Sequence, residues 1–170
     1  MSKVITGRMT HRYDGDLVVF HIGMQINRWW RPDLWLPAFL AMPRMLRELS
    51  RDPESGFLGY ELLFGAGGPY VVQFWNSLDK LYAYASAPTQ EHRPAWTAFN
   101  RAARKAPGAV GVWHETFLVE RAESIYVSTK RMGLAKATEH VEVGRRHDRA
   151  DARMADGSTK HETGEAAVTV

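Results

Sequence analysis

Two histidines, His92 and His114, are the residues of this sequence whose type and setting most favour chemistry. Imidazole titrates near neutral pH, so histidine can act as a general base, a proton shuttle or a metal ligand. His92 precedes Pro94 at the start of a predicted helix, on the helical face that also carries Trp96 and Phe99. His114 lies in a predicted strand, on the face of that strand with apolar neighbours. We expect both histidines to face one small-molecule site.

Other residues are expected to line the same site. His21 lies on a predicted strand beside Gly23, which leaves space above it. Glu115 stands between two aromatic residues on the strand face opposite His114, where a buried carboxylate needs a partner. His21, Glu115 and the other two histidines each have a structural alternative, as hydrogen-bonded or ion-paired residues of the core. Trp75 and Trp96 are expected to wall the pocket, and Trp113 to line it.

Composition excludes several kinds of function. The chain has 170 residues and no cysteine, which rules out disulfides, thiolate catalysis and iron–sulfur ligation. The net charge is +3, and no basic stripe typical of nucleic-acid binding is present. No signal-peptide pattern is visible, and no apolar stretch reaches the ~20 residues of a transmembrane helix. We expect a cytoplasmic protein that binds a small molecule and neither nucleic acid nor membrane.

Hydrophobic periodicity and turn residues predict the organisation of the chain. Residues 1–15 are expected to be an N-terminal arm, 16–143 a single domain and 144–170 a disordered charged tail. Within the domain, Pro43 predicts a kink or a break in the first helix, and 130–143 is expected to be irregular. The predicted strands are 17–26, 57–64, 70–75, 109–119 and 124–129, and the predicted helices are 32–49, 78–86 and 90–104.

The order of these elements predicts the fold class. Strand, helix, strand, strand, helix, strand is typical of the ferredoxin-like β-α-β-β-α-β unit, an α+β fold with an antiparallel sheet. Its helices cover one face of the sheet, so the other face also needs cover. A second copy across a two-fold axis would supply that cover. We therefore expect a homodimer of the dimeric α+β barrel type.

Several motifs together resemble a known family. They include Phe74-Trp75-x-Ser77, His92-Arg93-Pro94-Ala95-Trp96 and Val110-Gly111-Val112-Trp113-His114-Glu115-Thr116. With Ile22-Gly23-Met24 they resemble the family DUF4188, whose members are often called monooxygenase-family proteins of the dimeric α+β barrel superfamily. The resemblance covers roughly residues 15–138. It implies the fold, a homodimer and an oxidoreductase of monooxygenase type.

A more distant similarity suggests a cofactor. Trp75-x-Ser77-Leu78-x-x-Leu81, followed by Pro88-Thr89 and His92, is similar to the haem-ligand region of aldoxime dehydratases. The similarity implies haem b, with His92 as the ligand of the haem iron and Trp75 and Trp96 beside the cofactor. His114 would be the distal acid/base. This chain is much shorter than the members of that family.

Three functions therefore stay open. The first is a monooxygenase-like oxidoreductase acting on a small apolar or aromatic molecule, with haem or with no cofactor. In the cofactor-free form, His92 or His114 would deprotonate an activated phenol or enol that then reacts with oxygen. The second is a haem lyase of aldoxime-dehydratase type. The third is a haem-binding or small-ligand-binding protein without catalysis.

Overall fold

A computed structural model describes residues 3–87 and 92–156 of the chain. The described residues separate into two compact units. We call Val18–Leu118 the central unit, and the combination of Met1–Leu17 with Val119–Val170 the terminal unit. In chain order the elements are β1 (Ile5–Arg12), β2 (Leu17–Ile26), α1 (Pro32–Arg51), β3 (Phe57–Gly65), β4 (Gly68–Trp75), α2 (Leu78–Ser86), α3 (His92–Lys105), β5 (Val110–Val119), β6 (Tyr126–Thr129), α4 (Gly133–Ala137), β7 (Glu139–Glu142) and α5 (Ala150–Asp156).

The central unit contains a four-stranded sheet with the strand order β3-β4-β2-β5. β4 pairs antiparallel with both β2 and β3. This order and the helices between the strands confirm the predicted α+β, ferredoxin-like topology. The second helical crossover is divided between α2 and α3, as the sequence predicted. The predicted strand and helix bounds of this unit agree with the structure to within two or three residues.

Two apolar clusters hold the helices of the central unit against the sheet. Trp75 is fully buried against Val18, Leu49 and Leu81, which come from β2, α1 and α2. In a second cluster, Leu34 of α1 packs with Val110 at the start of β5. Ala106 and Ala109, which follow α3, complete this cluster. These residues recur at helical spacing in α1 and at alternate positions in the strands, which is why the sequence predicted the elements.

Two local expectations about helices have clear outcomes. α1 is continuous from Pro32 to Arg51, so Pro43 does not break it. Packing of Leu46 and Leu49 into the core on the following turn supports the helix beyond the proline. α2 begins at Leu78 as predicted, and the hydroxyl of Ser77 before it accepts a hydrogen bond from the Lys80 backbone N–H.

The terminal unit contains a three-stranded sheet with the order β6-β1-β7. β1 lies within the segment expected to be an arm, and it pairs antiparallel with both of its neighbours. The segment 130–143, expected to be irregular, contains α4 and β7. The tail expected to be disordered from residue 144 contains a 3₁₀ turn at Arg145–His147 and then α5. The remainder of that tail, 157–170, lies outside the described residues.

Polar side chains organise the terminal unit, which explains why hydrophobic patterning did not reveal it. Arg153 of α5 is buried and binds Glu123 at 2.9 Å. The Ser124 hydroxyl lies 2.7 Å from Nδ1 of His11 on β1. Pairing of this kind is between groups distant in sequence and leaves no local apolar pattern. No helix in the described parts of the chain is long and apolar enough to cross a membrane.

Candidate functional site

The two faces of the four-stranded sheet carry different groups. Side chains alternate between the faces along each strand. The face with Val18 on β2 and Val110 on β5 packs against the helices, and we call it the helix face. The other face, which we call the opposite face, carries six alternating residues of the two strands: His21, Gly23, Gln25, Trp113, Glu115 and Phe117.

His21 and Glu115 pair on the opposite face. Nδ1 of His21 lies 3.8 Å from a carboxylate oxygen of Glu115, which is an ion-pair distance but longer than a hydrogen bond. The Phe117 ring stands edge-on to the imidazole, with ring centroids 5.4 Å apart. A closer approach of the Glu115 carboxylate would hold the ring proton on Nδ1 and leave Nε2 to accept a proton. The pair therefore has the arrangement of a general base with an orienting partner.

The Trp113 indole lies over Gly23 on the same face. A Cβ atom at position 23 would lie 2.4 Å from two atoms of the indole. The Tyr70 ring, on the strand on the other side of Gly23, lies 6.0 Å from the indole. The space expected above Gly23 is therefore filled by Trp113. The indole can occupy it because glycine has no side chain.

A recess of about 180 Å³ opens beside Trp113. Its walls are the glycines of the β3–β4 hairpin together with Pro69, Tyr70, Trp113 and Gln25. The Gln25 amide lies directly above Gly67, where a Cβ atom would overlap it. The recess thus combines two aromatic rings with one uncharged amide, a set that suits a small ring with a polar substituent.

His114 lies on the helix face, as its spacing from Val110 predicts. It is exposed, and its ring contacts that of Phe20 at 5.6 Å. The space between helices and sheet nearest to this strand is lined by Leu34, Phe99 and Val110 and has no room for a water molecule. The structure therefore places His114 on the other side of the sheet from His21 and Glu115, so these predicted site residues do not face one pocket.

The remaining predicted residues divide between the core and the surface. His92 is the first residue of α3, and its side chain lies outside what the structure describes. Trp75 has no exposed surface, because it fills the core between sheet and helices, so it has no face to offer to a ligand. Trp96 is half exposed and stacks on Phe99 at 5.4 Å. Among the described residues, no cluster of three or more potential metal ligands occurs.

Sequence reasoning missed three residues of the opposite face: Gln25, Tyr70 and Phe117. Alternation along β2 already placed Gln25 beside His21 and Gly23, so that signal was available. Phe117 alternates with Glu115 in the same way. Tyr70 belongs to β4 and comes next to Gly23 only through the register of the sheet. That register depends on long-range pairing, which a single sequence does not show.

The topology defines an α+β protein of the ferredoxin-like class, with a histidine–carboxylate pair and a small recess on one face of its sheet. The chain belongs to the Monooxygenase af470-like family, whose model matches residues 17–134. It is 29% identical to Monooxygenase af470 of Aspergillus fumigatus over 87% of this chain and 59% of that protein. The chain thus spans less than two thirds of the length of this relative.

Two solved structures show weaker likeness. SnoaB, described as a cofactor-independent oxygenase from Streptomyces nogalater, is 18% identical and covers 64% of this chain and 97% of its own, with a TM-score of 0.45. A dimeric ferredoxin-like protein of unknown function from Jannaschia is 15% identical and covers 58% of this chain and 97% of its own, with a TM-score of 0.39. Neither likeness bears on the activity of this chain.

Proposed function

We propose that the protein is a monooxygenase-type oxidoreductase that acts on a small molecule on the opposite face of its sheet, with His21 as the general base. The family of the chain supports the reaction class. One structural observation carries the site: the His21–Glu115 pair and the recess beside Trp113 lie on the same face. The substrate class is a small, mainly apolar molecule with an acidic C–H or O–H group.

The proposed reaction needs only this base, the substrate and oxygen. Nε2 of His21 takes a proton from an activated CH₂ group, and the resulting carbanion or enolate gives electrons to O₂. One oxygen atom forms a new C=O bond at the former CH₂ carbon, and the other leaves as water with the two hydrogens of that carbon. Glu115, at ion-pair distance from Nδ1, would be the partner of the imidazolium that forms.

The aromatic residues around the pair would orient the substrate. Phe117 fixes one edge of the imidazole, and Trp113 supplies an apolar surface between His21 and the recess. Both aromatic side chains keep exposed area, 39% for Trp113 and 46% for Phe117. Covering that area with a flat ligand would remove it from water and favour binding.

Haem does not fit the described residues. Trp75 is a core residue, the space between helices and sheet near β5 cannot hold water, and the recess of about 180 Å³ is smaller than the ~300–1,000 Å³ of ordinary ligand pockets. The haem-dependent oxidoreductase, the aldoxime-type lyase and the haem-binding protein expected from the sequence therefore have no support from this geometry. A Soret band after reconstitution with haem, lost in His92→Ala, would overturn this conclusion.

Oxygen uptake with benzoylacetone tests the proposal, since this compound has one ring and an activated CH₂ group. We expect uptake by the wild-type protein and incorporation of one atom of labelled oxygen into the product. His21→Gln should lower kcat/KM by about 10²–10⁴-fold, the range typical of removing a general base. His147→Gln is the matched control, because His147 is a partly exposed histidine of the terminal unit.

The same assay separates this site from the one first expected. If His114→Gln or His92→Gln abolished uptake and His21→Gln did not, the base would lie elsewhere and the site would be wrong. Sedimentation of each variant would also test the expected homodimer. We propose that a second copy covers exposed apolar residues at the β3 side of the opposite face, Leu63 among them.

A further inference from the structure

We infer that the recess binds the ring of a single-ring ligand, that Trp113 on Gly23 is its floor and that the Gln25 amide selects a carbonyl or hydroxyl group on the ligand. This inference rests on the proposed function and names the substrate class of the same site. It depends on three features of the described residues: the size of the recess, the seat of the indole and the position of one amide.

The size of the recess sets the number of rings. Its volume is about 180 Å³. An apolar cavity of ~150 Å³ in a protein holds one benzene molecule. One ring with a short substituent therefore fills the recess, and a larger ring system would have to extend out of it along Trp113 towards His21.

The position of the Trp113 indole depends on the absence of a side chain at Gly23. The ideal Cβ position at Gly23 is 2.4 Å from the indole, whereas the Cβ position at Gly111 is 3.5 Å from the nearest atom, the Cβ of Gln25. The first distance is a clash and the second is ordinary van der Waals contact. Alanine at position 23 must therefore lift Trp113 off the sheet, while alanine at position 111 leaves the recess unchanged.

The position of Gln25 sets the polar preference. Its amide lines the recess above Gly67, and the side chain is exposed. An uncharged amide can donate to a carbonyl or accept from a hydroxyl, but it does not offer the charge that a carboxylate or phosphate would require. The recess therefore favours neutral, oxygen-bearing aromatic ligands over anionic ones.

Calorimetric titration with benzoylacetone tests this inference through a matched pair of glycine variants. We expect Gly23→Ala to weaken binding by about tenfold and Gly111→Ala to leave it unchanged, with the same contrast in KM. Gln25→Leu should weaken binding about fivefold, because it keeps the shape of the side chain and removes the amide. Acetylacetone, which has the same reactive group and no ring, should bind equally to wild type, Gly23→Ala and Gly111→Ala.

The outcomes also separate this inference from the proposed function. Expected binding without His21-dependent oxygen uptake would refute the reaction and leave the recess in place. Uptake that needs His21, with benzoylacetone bound equally by wild type, Gly23→Ala and Gln25→Leu, would refute the recess, as would the absence of binding to folded wild type. Melting followed by circular dichroism checks that each variant is folded. If Gly23→Ala fails to fold, binding to Gln25→Leu, a substitution at an exposed position, tests the recess instead.

Discussion

The two units of the molecule are stabilised by different interactions. In the central unit the buried side chains are almost all apolar, and they form clusters around Trp75 and Leu34. In the terminal unit the buried residues include Thr10 and Arg153, each held by hydrogen bonds to groups distant in sequence. Apolar burial tolerates changes of pH, whereas buried polar groups are stable only with their partners and in the right protonation state.

This difference has a consequence for the sites. The central unit can place His21, Glu115 and Trp113 on its exposed sheet face because its stability comes from the helix face. The terminal unit uses His11 within its own hydrogen-bond network, through Ser124. We therefore expect the central unit to be sensitive to loss of apolar side chains, and the terminal unit to loss of polar partners and to pH.

The largest expected effect is on the core of the central unit. Trp75→Ala should lower the free energy of unfolding by about 3–5 kcal/mol, because it removes a fully buried indole and leaves a cavity. Denaturant unfolding followed by circular dichroism measures this loss. Trp113→Ala, at a position that is 39% exposed, is the matched control and should cost about 1 kcal/mol. Equal losses in the two variants would contradict the assignment of the two faces.

A smaller loss is expected from the buried ion pair of the terminal unit. Arg153 donates to Glu123 and to the carbonyl oxygens of His147 and Asp148, all at 2.9 Å. Arg153→Ala should cost about 2 kcal/mol, below the 3–5 kcal/mol of fully buried pairs because Glu123 retains some contact with water.

Two further variants make this test sharper. Arg153→Met combined with Glu123→Leu should recover most of the loss, since no charge is then left buried without a partner. Arg149→Ala removes an exposed partner of Asp151 and should leave the unfolding midpoint unchanged. If Arg149→Ala and Arg153→Ala had the same effect, the buried network would not stabilise the unit.

The smallest effect is a pH dependence that should be confined to the terminal unit. Burial lowers the pKa of His11 from 6.5, against an opposing effect of Glu123. Burial, with a contribution from Arg131, also lowers the pKa of His140, which is opposite His11 in the β1–β7 pairing. A lowered pKa in the folded state favours the neutral ring, so this stability is complete above pH 6.5 and is lost as the pH falls below that value.

Hydrogen exchange of backbone amides measures this pH dependence for each unit. We expect protection of β1 amides, relative to β4 amides, to fall on acidification. In the variant with both His11→Gln and His140→Gln, the ratio of β1 to β4 protection should stay constant with pH, because neither side chain titrates. The same fall in that variant would show that these histidines are not its cause.

Sequence reasoning was most successful where apolar side chains recur with a regular period. The strands and helices of the central unit have that pattern, and Trp75, Leu49 and Leu81 follow it into the core. It was least successful in β1, where Thr6, Arg8, Thr10 and Arg12 offer no apolar pattern. Partners of β1 lie more than a hundred residues away, so its pairing with β6 and β7 is not visible locally.

The candidate site was predicted in part, for a physical reason. The alternation in β5 correctly separated His114 from Glu115, but both faces of the strand carry apolar and polar groups. Only the packing of Val110 against α1 shows which face meets the helices. Residue types alone therefore could not show that His21, Trp113 and Glu115 form one group and that His114 stands apart.

The alternation of β5 also suggests how a sheet of this kind could change its chemistry in a single evolutionary event. Inserting or deleting one residue between Val110 and Trp113 would move every later side chain to the other face. His114 would then stand beside His21, while Glu115 and Trp113 would turn towards the helices. A histidine–carboxylate pair would be exchanged for a pair of histidines, with a different repertoire of ligands, although no amino acid of the strand had been substituted.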